Sequence, residues 1–234
     1  MKIEYFTVLW YNHLVKNNME VSSMEKRAKR EVLDILLSNN FKSVVTMLLS
    51  AVAIIRYVNF PNTSREICMY AILLSTLADL ILMNYRGVPK MIFKKANFGV
   101  GAFVFGIVQI LYHVCFLKIM GMNALINLNS AGYAALFIGI LTVPSLLFIM
   151  SERNHIYTIG VLIYATCLVL NMMAIFNCAY MFGNKYIFAA MGIVLFMISD
   201  IFILIRENVK DSAFIRKLIW IFYPLGQLMI ILGV

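Results

Sequence analysis

The sequence has few charged residues for its length. Only 13% of its 234 residues are Asp, Glu, Lys or Arg, whereas 62% are hydrophobic, and the mean hydropathy is +0.87. A water-soluble domain of this size needs a charged surface. The scarcity of charge therefore excludes an ordinary soluble protein and predicts an all-α integral membrane protein whose outer surface faces lipid.

The motifs of several common activities are also missing. The four cysteines have no paired spacing, and there is no Cys/His cluster, glycine-rich phosphate loop or serine nucleophile elbow. We therefore expect neither a metal nor a cofactor. No lysine follows Lys217, so the last apolar segment lacks the Schiff-base lysine of a retinal protein. No internal repeat of the transporter kind is visible.

Seven segments are long and apolar enough to cross a bilayer, which takes about 20 mostly apolar residues. They are 42–60, 66–85, 98–118, 131–150, 156–180, 185–205 and 216–233. The stretch 5–15 is too short to span and lacks the cleavage pattern of a signal peptide. We predict a multi-pass transmembrane helix bundle with about seven spans, located in the cell membrane.

Lysine and arginine are distributed unevenly between alternate loops. One set carries six in 1–41, four in 86–97, one in 151–155 and four in 206–217. The opposite set carries only Arg65, Lys118 and Lys185. Positively charged loops stay on the cytoplasmic side, which predicts a cytoplasmic N-terminus. Because the positive charge lies beside span ends, it indicates the lipid bilayer as a partner, and nucleic acid is not expected.

Residues 1–41 are more polar and more basic than the rest. Within them, 22–37 begins with the capping-box pair Ser22 and Glu25 and repeats apolar residues every four positions. This pattern predicts either a basic amphipathic helix on the inner leaflet or a soluble helix packed on the loops. We predict a cytoplasmic basic segment, 1–41, followed by a transmembrane bundle, 42–234.

Two acidic residues, Asp79 and Asp200, lie deep inside predicted spans. A carboxylate near the bilayer centre is disfavoured by about 2.5–3.5 kcal/mol, so such groups face a protein interior or a water-filled cavity. At ~1.5 Å per residue, Asp79 lies roughly 10 Å before Arg86, and Asp200 roughly 9 Å before Arg206. Both spans run from outside to inside. The two carboxyl groups should therefore share one depth and form a candidate catalytic pair.

Other polar side chains lie at compatible depths in the third, fifth and seventh spans. They are Gln109, Tyr112, Tyr164, Asn171, Tyr223 and Gln227. Taken singly, a Tyr or Gln in a bundle more often forms an interhelical hydrogen bond than a catalytic contact. Next to two carboxyl groups, they are candidates for positioning a ligand or water.

These residues resemble the motifs of the YhhN family of membrane proteins, which includes the eukaryotic lysoplasmalogenases. The third-span pattern F-x-x-G-x-x-x-F-x-x-x-H-x-x-Y-x-x-x-F is met by Phe98, Gly101, Phe105, Tyr112 and Phe116. Gln109 stands where the family has histidine. The pattern G-x-x-L-F-x-x-S-D is met by Gly192, Leu195, Phe196, Ser199 and Asp200.

Further motifs extend the resemblance over 42–233. The family's G-D pair corresponds to Ala78 and Asp79, and its closing Y-x-x-x-Q to Tyr223 and Gln227. Lys42 resembles the lysine that opens an early family helix, with serine in place of the usual proline after it. Family members are described with eight spans, so the first family helix is missing here or replaced by the basic segment.

The resemblance implies a hydrolase that cleaves the vinyl-ether bond of a lysoplasmalogen. The products would be a fatty aldehyde and a glycerophospho-ethanolamine or -choline, and the substrate a lysophospholipid. Asp79 and Asp200 would be catalytic, one as general acid and the other stabilising the cation and orienting water, in an order that the sequence leaves open. The implied substrate-binding residues are Gln109, Tyr112, Tyr164, Ser199, Tyr223 and Gln227.

Two other classes of function stay open. Gln109 and Ala78, where the family has His and Gly, would suit a noncatalytic lipid-binding protein. Alternatively, the acidic pair could couple protons to the transport of a small solute. Arg86, Lys90, Arg216 and Lys217 could contact a lipid phosphate, although charges that only set the topology are the favoured interpretation. No pattern indicates an oligomeric state.

The charge asymmetry makes a prediction about topology. Reporter fusions after residue 40, within 88–95 and within 208–214 should report the cytoplasm, because these positions lie in the basic loops. A fusion after Val234 should report the outside. A cytoplasmic C-terminus would require an even number of spans and would contradict the predicted seven.

Overall fold

A computed structural model describes residues 38–83, 97–121, 129–149 and 155–234 of the protein. The chain divides into two units, Met1–Phe41 and Lys42–Val234, and all described residues except the first four belong to the second. The amphipathic helix predicted at 22–37 lies outside the described residues. The functional division at residue 41 stays a prediction.

Seven α-helices lie in the described residues. They are α1 Asn39–Asn59, α2 Thr63–Leu82, α3 Asn97–Met120, α4 Ser130–Ile149, α5 His155–Phe182, α6 Ile187–Asn208 and α7 Ala213–Gly233. A short 3₁₀ helix, Gly183–Tyr186, joins α5 to α6. Each helix overlaps one predicted span, and the described ranges contain no strand. The all-α class is therefore confirmed for the part of the chain that the structure describes.

The helix ends are set by a few local signals. The side chain of Asn62 accepts a hydrogen bond from the backbone N–H of Arg65 at 2.7 Å, which caps the start of α2. Ser212 caps α7 in the same way through the N–H of Ile215, at 3.2 Å. Gly121, with a φ of 77°, ends α3 in a left-handed conformation that glycine adopts without strain.

Four helical stretches in the described ranges are long and apolar enough to cross a membrane. They are Asn39–Asn59, Gly99–Met120, Thr158–Asn208 and Ala213–Gly233. The third contains α5, the 3₁₀ helix and α6, and Ser130–Ile140 is a shorter apolar helix. These helices support a multi-pass membrane protein. The count of seven spans, the orientation of the N-terminus and the cell membrane as location stay predictions.

The polarity of the helices is inverted relative to a soluble bundle. Large apolar side chains point outwards, among them Phe103 with 71% of its surface exposed and Ile163 with 62%. Buried side chains include several that are polar, namely Ser75, Asp79, Gln109, Asn171, Ser199 and Gln227. Such an arrangement suits a surface in contact with lipid and an interior that satisfies its own hydrogen bonds.

Small residues allow the closest helix contacts. A Cβ atom placed on Gly192 of α6 would lie 2.7 Å from the carbonyl oxygen of Gly226 and 2.8 Å from the backbone nitrogen of Ile230, both on α7. A Cβ atom placed on Gly233 of α7 would likewise overlap the backbone of Ala189 on α6. These contacts hold the backbones of α6 and α7 against each other, as small residues do in membrane bundles.

The close α6–α7 contact predicts an unequal response to adding one methyl group. Gly192→Ala should lower the free energy of unfolding by about 1–3 kcal/mol, because backbone atoms would have to move apart. Gly106→Ala on α3 is the matched control, since no atom lies within 4 Å of its added Cβ. It should be neutral or raise the stability by about 0.5–1 kcal/mol. Denaturant unfolding in detergent micelles measures both, and equal destabilisation would contradict the packing argument.

Candidate functional site

The two predicted carboxyl groups lie on different helices in the core of the bundle. Asp79 is buried near the end of α2, and Asp200 is partly exposed in the second half of α6. Tyr223, which binds Asp79, and Phe196, which lies one helical turn before Asp200 on α6, have ring centroids 5.5 Å apart. The structure thus brings together the two acidic residues that the sequence predicts to lie at the same depth in the bilayer.

Asp79 is held by a hydrogen-bonded cluster that α2 and α7 build together. The hydroxyl of Tyr223 donates to Oδ2 of Asp79 at 2.6 Å. Oγ of Ser75 lies 2.8 Å from the same hydroxyl oxygen. Nε2 of Gln227 donates to Ser75 at 2.6 Å and to Tyr223 at 3.0 Å. Oε1 of Gln227 accepts from the hydroxyl of Tyr112 on α3, at 3.1 Å.

The spacing of these residues explains the cluster. Ser75 and Asp79 are four positions apart on α2, and Tyr223 and Gln227 are four apart on α7, so each pair occupies one helix face. The two faces meet, and four side chains share one set of hydrogen bonds. Because a tyrosine has one hydroxyl hydrogen and Tyr223 gives it to Asp79, Ser75 and Gln227 must both donate to Tyr223.

Asp200 has a second cluster with the same order of groups. The hydroxyl of Tyr164 on α5 donates to Oδ2 of Asp200 at 2.7 Å. Nε2 of Gln109 on α3 donates to the Tyr164 hydroxyl at 3.1 Å. Nδ2 of Asn171 donates to Oε1 of Gln109 at 2.8 Å and to its backbone carbonyl at 3.0 Å. In this series of hydrogen bonds, each donor lies one residue farther from the carboxyl group than its acceptor.

Aromatic rings pack around the tyrosines of the Asp79 cluster. Phe196 of α6 contacts Tyr223, with ring centroids 5.5 Å apart, and Tyr112, with centroids 6.5 Å apart. Phe105 packs edge-on to Tyr223 at 6.2 Å. Edge and tilted contacts of this kind stabilise aromatic pairs beyond their buried area. Tyr223 and Tyr112 are therefore fixed by packing as well as by hydrogen bonds.

Seven of the eight predicted site residues belong to the two clusters. They are Asp79, Asp200, Gln109, Tyr112, Tyr164, Tyr223 and Gln227. Ser199 is fully buried, and its hydroxyl donates to the backbone carbonyl of Ile219 at 3.4 Å, which ties α6 to α7. The catalytic and substrate-binding roles assigned to these residues stay predictions.

Ser75 and Asn171 belong to the clusters but were not among the predicted site residues. A signal for Ser75 existed, because it lies four positions before Asp79 and hence on the same face of α2. Asn171 was visible as a polar residue in the fifth predicted span. Which helix it faces, however, is a matter of tertiary packing. Neither its spacing nor its depth indicates that it binds Gln109.

Metal binding can be assessed only for the described residues. No group of three or more His, Cys, Asp or Glu side chains within them could hold a metal ion. The four cysteines are not in disulfides, and Cys68, Cys115 and Cys178 are buried. The expectation of no metal and no cofactor stays a prediction for the chain as a whole.

The comparison with protein families identifies the family of the chain. The family model described as the YhhN family matches residues 37–234, which is most of the sequence. The chain belongs to the YhhN family. Neither the comparison with curated proteins nor that with solved structures gave a match. The matched region contains all of α1 to α7 and therefore both carboxyl clusters of this YhhN protein.

Gln109, which stands where the third-span motif of the YhhN family has histidine, has a defined position in the bundle. Gln109 is fully buried between two partners, accepting from Asn171 and donating to Tyr164. A primary amide carries a donor and an acceptor at once, so it can fill both roles without changing its charge. In this YhhN protein the position links two side chains of α5.

Proposed function

We propose that this protein is a lysoplasmalogenase-like hydrolase, cleaving the vinyl-ether bond of a lysoplasmalogen to a fatty aldehyde and a glycerophospho-ethanolamine or -choline. The observation that carries the proposal is the pair of neighbouring carboxyl groups, each bound by a tyrosine from another helix, inside the bundle of a YhhN family member. Vinyl-ether hydrolysis needs one proton donor and one base, and a carboxyl pair can supply both.

The reaction can be written with all protons balanced. The acidic carboxyl group transfers its proton to the alkene carbon that does not carry oxygen, which leaves an oxocarbenium ion at the other carbon. Water attacks that carbon as the second carboxylate takes one of its protons, giving a hemiacetal. Collapse of the hemiacetal breaks its bond to the glycerol oxygen. That oxygen takes the proton from the second carboxyl group, and the hemiacetal hydroxyl returns a proton to the first.

The two tyrosines suit this chemistry because each fixes only one oxygen of its carboxyl group. Tyr223 and Tyr164 both donate to Oδ2, and no hydrogen bond to Oδ1 of either aspartate is present among the described residues. The other oxygen is thus available to a reactant while the carboxyl plane is held in position. Such fixed orientation contributes to catalysis by limiting the geometries that the reacting groups sample.

Substitution of each aspartate tests the proposal. Asp79→Asn and Asp200→Asn should each lower aldehyde release from lysoplasmenylethanolamine by about 100-fold or more, because an amide cannot exchange the required proton. Glu66→Gln, at the start of α2, is the matched control and should retain activity. The assay uses purified protein in mixed micelles, with unfolding curves to show that each variant is folded. Full activity in either aspartate variant would refute the two-carboxyl mechanism.

Substitution of Gln109 tests whether the family histidine is needed for proton transfer. We expect the natural protein to be active and Gln109→His to change its rate little, because either side chain can donate to Tyr164. Turnover should be measured for both proteins across the pH range. A large gain in Gln109→His, with a new ionisation near the ~6.5 of an ordinary histidine, would show that proton exchange at this position matters. That result would favour the noncatalytic lipid-binding alternative for the natural chain.

A further inference from the structure

Lys42 is a buried cation in the first turn of α1, with 8% of its surface exposed. No carboxylate among the described residues forms an ion pair with it. Its Nζ lies 4.9 Å from the centre of the Trp220 ring, which offsets only part of the cost of removing an ammonium group from water. Among the described residues, Lys42 therefore has no counter-ion.

Two arginines from other helix ends lie near this lysine. Arg216 lies one helical turn before Trp220 on the same face of α7, and therefore on the side of α7 that Lys42 contacts. Arg206 lies in the last turn of α6, which the stacked rings of Phe202 and Phe222 hold against α7. Arg206 pairs with Glu207, and Arg216 pairs with Asp211 at 2.7 Å. All four partners are substantially exposed, and exposed ion pairs are worth little. Of these three cations, Lys42 is thus the one that has no carboxylate partner among the described residues, and an anion bound beside it would supply the missing negative charge.

Aromatic contacts connect Lys42 to the cluster of Asp79. The ring of Trp220, which Lys42 contacts, packs against the ring of Tyr223 with centroids 5.8 Å apart. The hydroxyl of Tyr223 in turn donates to Asp79. Two aromatic side chains therefore connect the ammonium group to the carboxyl group. In a lysophospholipid, a three-carbon glycerol unit separates the phosphate from the ether oxygen, so this substrate would require a phosphate site close to the carboxyl groups.

We infer that Lys42, Arg206 and Arg216 form the site that binds the phosphate of the lysophospholipid, beside the clusters of Asp79 and Asp200. This inference rests on the proposed function for the identity of the ligand. Arginine and lysine are the side chains that proteins use to bind phosphate, and charge-assisted hydrogen bonds to it are the strong ones. The sequence pattern had marked Arg216 and Lys217 as basic residues at this end, but not Lys42.

The first test compares two substrates that differ only in the phosphate group. The natural protein should have a higher kcat/KM for lysoplasmenylethanolamine than for a 1-alkenylglycerol of the same chain length. Lys42→Met should lower the ratio of the two kcat/KM values about tenfold, mainly through KM, because one charge-assisted contact is lost. Lys42→Arg should retain the ratio. Lys210→Met is the matched control, since Lys210 is exposed between α6 and α7, and its ratio should be unchanged.

The second test measures binding without hydrolysis. Trp10 and Trp220 are the two tryptophans of the chain, so Trp10→Phe leaves Trp220 as the single fluorescent reporter. In a phosphate-free detergent, its emission should change saturably with a 1-O-alkyl lysophosphoethanolamine and not with the matching 1-O-alkylglycerol. Lys42→Met should raise the Kd about tenfold. The same emission is measured with inorganic phosphate and with a diacyl phosphatidylethanolamine, which tests whether the site binds free phosphate or another phospholipid instead.

The two tests separate this inference from the proposed function. Phosphate-dependent binding that weakens in Lys42→Met, without aldehyde release from any substrate, would refute the hydrolase and support the phosphate site. Aldehyde release with an unchanged ratio and Kd in Lys42→Met would overturn the phosphate site alone. Equal binding of the diacyl lipid would overturn the lysophospholipid assignment. If Lys42→Met does not fold, Arg206→Met gives the same comparison at a partly exposed position.

Discussion

A carboxyl group inside a lipid-facing bundle needs hydrogen-bond donors from neighbouring helices, and this need connects most of the site. Asp79 and Asp200 each receive a tyrosine hydroxyl, and each tyrosine in turn receives the amide of a glutamine. The donors come from α3, α5 and α7, so five helices contribute to the two clusters. A change in the position of any one of them would leave a polar group of the clusters without its hydrogen-bond partner.

Close helix contacts make these hydrogen bonds geometrically possible. Gly192 and Gly226 bring α6 against α7, which places the helix of Asp200 beside the helix of Tyr223. On α3, a Cβ atom placed on Gly101 would lie 3.4 Å from the carbonyl oxygen of Ala78, next to Asp79. The approach of α2 and α3 thus relies on the glycine of α3, and Ala78, where the family has glycine, is accommodated without exposed surface.

The sequence was sufficient to predict the helices and the acidic pair, because both follow from distance along the chain. Length and hydropathy place the helices, and the distance from Asp79 and Asp200 to the basic loops places both carboxyl groups at one depth. The pairing of side chains could not be predicted in the same way. Helices such as α3 and α5 are apolar on nearly all sides, so no periodicity shows which face points inwards. That Tyr223 binds Asp79 and Tyr164 binds Asp200, and that Ser199 binds a backbone carbonyl, depends on helix rotation.

The substitution of glutamine at position 109 fits the order of donors in its cluster. A group at this place must accept from Asn171 and donate to Tyr164, and an amide does both in its one charge state. The cluster of Asp79 is likewise built from hydroxyl and amide groups, none of which gains or loses a proton near neutral pH. Among the hydrogen-bonded groups of the two clusters, the carboxyl groups are then the ones with an ordinary capacity to exchange protons. Under the proposed mechanism the proton transfers therefore fall to Asp79 and Asp200, and the tyrosines and amides determine how those two groups are oriented.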